Sequence, residues 1–136
     1  MKKLRLQTVA MILFVAVSLT ACSKDDDKPQ EVTKTSLVSA ITGPTTGIPN
    51  QELSFTVTYA VENNCGTFNK FIETTTENTK QIEVQSKYEG TSCGTTPATK
   101  TTTYKMKPTV EGTYILKFKK TASEFVTQTI VVKKAS

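Results

Sequence analysis

The stretch Leu53-Ser54-Phe55-Thr56-Val57-Thr58-Tyr59-Ala60-Val61 decides the fold. Leu53, Phe55, Val57, Tyr59 and Val61 alternate with small or polar residues, the two-residue period of a strand with one face in a core and one in water. A helix of the same composition would repeat its apolar positions every three to four residues. Valine, threonine, tyrosine and phenylalanine also favour the pleated backbone.

Outward from this strand the period persists. Leu37 to Ile41 reads as a first strand, followed by a loop punctuated by Gly43-Pro44 and Gly47-Ile48-Pro49-Asn50. After the quoted stretch, Asn63-Asn64-Cys65-Gly66 reads as a turn. Phe68 to Thr75 reads as a third, less regular strand. Ile82, Val84 and Tyr88 mark a fourth, and Gly90 to Ala98 a loop. Thr102, Tyr104 and Met106 mark a fifth strand, Tyr114, Leu116 and Phe118 a sixth, and Phe125 to Val132 a seventh. No window sustains a helical period and no internal repeat is present. Seven short strands in about 100 residues predict an all-β domain of two packed sheets. A chain of 136 residues holds one such domain.

The residues that are missing restrict the chemistry. The sequence has no histidine and no tryptophan; its only arginine is Arg5, and its only aspartates are Asp25, Asp26 and Asp27. Nucleophilic catalysis through histidine and histidine-bound zinc are therefore ruled out. Bidentate capture of phosphate by arginine is unavailable, and no glycine-rich phosphate loop is present. Glu73, Glu83, Glu89 and Glu111 fall on the polar phase of strands and turns, where a solvated face accounts for them without a glycosidase pair. No catalytic residue, cofactor or metal site is expected. Asp25 to Asp27 lack the loop that would order calcium ligands. The threonine runs Thr74-Thr75-Thr76 and Thr101-Thr102-Thr103, with Thr127 and Thr129, are compatible with an array that binds ice or sugar. Strand propensity combined with solubility explains them more simply.

The N-terminus has a different character. Lys2, Lys3 and Arg5 precede an apolar run from Val9 to Leu19, too short to span a bilayer at about 20 residues per helix. This is the layout of a signal peptide. Leu19-Thr20-Ala21-Cys22 then resembles the lipobox of bacterial lipoproteins. That resemblance implies cleavage before Cys22 and diacylglycerol on its thiol. Ser23-Lys24-Asp25-Asp26-Asp27 resembles the acidic run that follows the cysteine in lipoproteins of the Bacteroidota, where it directs export to the outer face of the outer membrane. The implied organisation is a signal peptide over 1–21, a lipidated flexible tether over 22–33 and a domain over 34–134. Extended, the tether reaches roughly 35 Å. Without Lys2, Lys3 and Arg5 the chain keeps 14 basic against 12 acidic residues, a balance that gives no reason to expect nucleic acid as a partner.

Lys107-Pro108-Thr109-Val110-Glu111-Gly112-Thr113-Tyr114 resembles the turn entering the sixth strand of immunoglobulin-like domains, in which a tyrosine hydroxyl bonds back to the turn backbone. The resemblance implies a seven-stranded immunoglobulin-like sandwich. Leu116 stands where antibody-type domains carry a cysteine, and the core tryptophan is missing, so the antibody type itself is not implied. If Cys22 carries lipid, two of the three cysteines remain, Cys65 and Cys93, and an exported protein favours their pairing. The immunoglobulin-like order would bring their loops to one end. The alternatives, a metal pair or a redox couple, lack further ligands and a Cys-x-x-Cys spacing.

The expected function is that of a non-catalytic surface lipoprotein, held by its lipid on the outer membrane and binding an extracellular protein or glycan. The candidate contact residues are Asn63, Asn64, Phe68 and Tyr88 with loop 90–98, completed by Lys119 to Glu124. A tether arriving at the same end would crowd them and favour the opposite end, around Gly43 to Pro49 and Pro108 to Gly112. The runner-up is an accessory subunit of an outer-membrane complex, held by a strand edge.

Overall fold

The computed structural model describes residues 30–136. Cys22, the signal peptide, Asp25 to Asp27 and most of the tether lie outside the described residues. Among the described residues there are nine strands and no helix: β1 (Val32–Ser36), β2 (Val38–Thr42), β3 (Thr46–Gly47), β4 (Leu53–Val61), β5 (Gly66–Thr76), β6 (Thr79–Tyr88), β7 (Ala98–Met106), β8 (Gly112–Lys119) and β9 (Phe125–Val132). The order β2-β4-β7 makes a three-stranded sheet. The other six strands form a second sheet along β1-β6-β8-β9-β3, with β5 on the free side of β6.

The quoted stretch is β4, and all five of its alternating apolar residues are buried. They meet Tyr104 and Met106 of β7 on their own sheet, and Ile82, Val84, Leu116, Phe118, Ile130 and Val132 on the facing sheet, in one core. Aromatic rings knit the two layers. Tyr104 lies edge-on to Phe118 at 5.4 Å and to Phe71 at 5.1 Å, and Phe68 packs on Phe71 at 4.7 Å. Edge-to-face pairs of this kind add about 0.5–1.5 kcal/mol beyond area burial.

Nine strands replace the expected seven for identifiable reasons. The first strand is divided: β1 pairs with β6, the chain crosses between sheets at Leu37, and β2 pairs with β4. β1 begins at Val32, inside the stretch read as tether. A two-residue strand, β3, forms where the loop runs parallel to β9. The strand order also departs from the immunoglobulin pattern. β6, not β5, lies beside β8, and the two run parallel, with Thr79 opposite Ile115 and Ile82 opposite Phe118.

Tyr104 carries a buried hydroxyl with no hydrogen-bond partner. Burial holds its phenol neutral and well above the usual tyrosine range, and the nearby Glu73 carboxylate opposes ionisation further. An unsatisfied buried group costs about 1–3 kcal/mol, so Tyr104→Phe is expected to stabilise the domain by about 1 kcal/mol in urea unfolding. An acid whose folded pKa is raised keeps its proton longer in the folded state. Stability then falls as pH rises above the unfolded value near 10, and the variant should lose less over that window. A destabilised variant would mean that the hydroxyl is satisfied.

Candidate functional site

The residues expected to form a contact surface gather at one end, where they have structural duties. β5 begins at Gly66, opposite Tyr88, and β1 begins at Val32, opposite the other side of the same Tyr88. Cys65, just before β5, is joined to Cys93 in the β6–β7 loop, with Cα atoms 5.2 Å apart. The bridge closes a loop of sequence separation 28 and ties the turn after β4 to the loop after β6. Gly66 is required beside it, because a Cβ there would stand 2.7 Å from Val61 Cβ and 2.8 Å from Tyr88 Cε1.

Asn63 shapes the turn rather than facing solvent freely. Its side-chain oxygen accepts from the Cys65 N–H at 3.1 Å, and its carbonyl accepts from the Gly66 N–H at 3.2 Å, an Asx-type turn. Asn64 is exposed and remains available. Phe68 is half-buried and packs one side against the core, with Phe71 and Tyr59 as ring neighbours. A bulge between Phe68 and Lys70 supplies the reason, since an extra residue lets Phe68 and Phe71, three apart, share one face. Tyr88 is half-buried. Its hydroxyl accepts from the Glu62 N–H at 3.0 Å, and the Lys34 ammonium stands 5.7 Å from its ring centre. The Lys119–Glu124 loop begins where β8 leaves β6, with Phe118 opposite Ile82. Lys119 is ion-paired with Glu83 at 2.9 Å, level with the point where β1 takes over the edge of β6.

Between the start of β2 and the disulfide loop lies a groove of about 280 Å³, lined mainly by apolar groups of Leu37, Ala60, Val61, Tyr88 and Pro97 with Ser36. Tyr88 and Pro97 belong to the surface expected from sequence, Pro97 within loop 90–98, whereas Leu37 was read only as the start of a strand. Among the described residues no group of three or more His, Cys, Asp or Glu side chains could hold a metal ion.

The opposite end is built differently. Loop 43–52 and turn 107–111 are joined by the Asn50 N–H donating to the Pro108 carbonyl at 2.7 Å. Asn50 takes the left-handed conformation with φ 66°, which asparagine tolerates better than most residues. The Tyr114 hydroxyl donates to the Val110 carbonyl at 2.8 Å, the corner bond that the sequence resemblance implied. These bonds hold Ile48 and Val110 outward, 43% and 65% exposed. Along the outer face of the three-stranded sheet, Thr56 is flanked by Thr42 and Thr103, and Thr58 by Ala40 and Thr101. That face is uncharged over these positions.

Fold and site together define a small all-β domain of two packed sheets with one disulfide-clasped end. No family model, characterised protein or solved structure matches the chain.

Proposed function

We propose that the chain is a non-catalytic surface lipoprotein, anchored through Cys22 on the outer membrane, whose immunoglobulin-like domain binds a protein or glycan partner with the end remote from the anchor. One observation carries the reading: β1 starts at the disulfide end, opposite Tyr88. A tether from Cys22 enters there, so the disulfide end turns toward the lipid and the end bearing Ile48 and Val110 turns away. Apolar side chains held outward on rigid loops lose little entropy when they dock. The immunoglobulin-like part of the reading is supported by the corner bond of Tyr114 and by the β2-β4-β7 order, which matches strands A, B and E of that fold. A second reading, an accessory subunit held by its strand edge, is favoured by β5, whose 11 residues pair, among the described residues, only on the β6 side.

Val110→Cys tests the first reading. Intact cells should be labelled at this position by a membrane-impermeant maleimide, and globomycin should cause unprocessed precursor to accumulate and abolish the label. Processing unchanged by globomycin would overturn the anchor, and labelling only after lysis would overturn the surface address.

A further inference from the structure

We propose that β1 is an exchangeable strand, and that the slot it fills on β6 accepts the β1 of a second copy of this chain. The outer edge of β6 is shared by two strands laid end to end. β8 covers Thr79 to Ile82 in parallel, and β1 covers Val84 to Tyr88 antiparallel. β1 brings no apolar side chain into the core. Val32, Thr33, Lys34 and Thr35 are exposed, and only Ser36 is buried. What holds β1 is its backbone ladder, the Ser36–Ser86 hydroxyl pair at 2.6 Å, and Lys34 beside Glu62 and Tyr88. An element that buries so little apolar surface lies at the low end of local stability.

The slot cannot stay empty at no cost. Ser86 is fully buried, and without β1 its hydroxyl would be left unpaired above a row of free backbone groups. A strand must refill it, and the complement it offers, a hydroxyl for Ser86 and an ammonium for Glu62, is that of this chain's own β1. Exchange between identical copies recovers the same contacts and is therefore a low-cost route to dimers. The hinge favours it. Leu37 alone makes the crossing from β1 in one sheet to β2 in the other, and short hinges promote swapping. Among the described residues, Val32 and Leu37, at the two ends of β1, are two of the five large apolar residues left exposed. The groove beside Leu37 gives a second hinge apolar surface to cover. None of this depends on the lipid anchor.

The test uses two full-length chains co-expressed in one cell, one carrying Thr35→Cys and the other Gln85→Cys, positions that face each other across β1 and β6. A disulfide-linked dimer is expected, with peptides 35 and 85 joined by mass spectrometry. The pair Thr35→Cys with Thr74→Cys, on β5, should give no link above background. Both substitutions in one chain should also close within a monomer. If that single-chain link forms and the two-chain link does not rise above the Thr74→Cys control, the proposal is wrong. If the single-chain link fails too, the β1–β6 register on which the proposal stands is wrong. Two glycines inserted after Leu37 should lower the linked fraction several-fold, and an unchanged fraction would equally contradict exchange.

Discussion

Replacing Cys65 and Cys93 together by serine is expected to destabilise the domain by about 3–4 kcal/mol, the chain-entropy estimate for a closed loop of this length. For a domain of this size the melting temperature should fall by roughly 15–25 °C. The effect is large because the bridge ties the β6–β7 loop, which has few bonds of its own, to the better-held turn after β4. The β6–β7 loop has no strand partner between Glu89 and Pro97, and its attachment to the turn after β4 runs through the two sulfurs. Reduction of the unaltered protein should reproduce the loss. Thermal unfolding with and without a reductant checks it, and a fall of less than about 5 °C in both would mean that the loop entropy is already restricted by other contacts.

Phe118→Ala is expected to cost about 3–5 kcal/mol, the range for deleting a fully buried aromatic side chain. Phe118 is 0% exposed, one residue before the end of β8, with Tyr104 at 5.4 Å and Phe71 at 6.5 Å between ring centres. It meets Phe71 on its own sheet and Tyr104 on the facing one, so its removal opens a cavity between the two layers. Neither ring can collapse into the gap without leaving its other aromatic neighbour. Urea unfolding should show a lower midpoint with an unchanged slope. A loss below about 1 kcal/mol would mean that the core there is loosely packed.

The extent to which sequence disclosed this structure follows from what stabilises each element. β4 was legible because a strand with one face in the core must alternate, and Leu53 to Val61 do so without a break. β8 and β9 were legible on the same ground. β1 was not. Val32-Thr33-Lys34-Thr35-Ser36 has no apolar alternation, since its hold on β6 comes from backbone groups and one serine pair that leave no hydrophobic pattern. β5 looked irregular because its bulge breaks the two-residue period, and that break hid the packing of Phe68, half-buried, against the core. The parallel pairing of β6 with β8 joins segments far apart in the chain and has no local signature.

The candidate site divides in the same way. Tyr114 and its turn were readable because the corner bond is a local motif of one turn and one side chain. Cys65 and Cys93 were readable as a pair on the premise that Cys22 is used elsewhere and, separately, from the loop placement that the immunoglobulin-like order implies, and the structure joins them. The groove was not readable, because Leu37, Ala60, Tyr88 and Pro97 come from four separate segments. The outward set of Ile48 and Val110 was foreshadowed only as an end of the molecule, since exposure of single apolar residues depends on loop hydrogen bonds such as that from Asn50 to Pro108.

Intact-mass analysis of the mature protein extracted from membranes tests the account most directly. A chain beginning at residue 22, heavier than its peptide mass by diacylglycerol and an amide-linked acyl group and lighter by the two hydrogens of one disulfide, is the predicted result. A first residue elsewhere, or an unmodified cysteine at position 22, would contradict it.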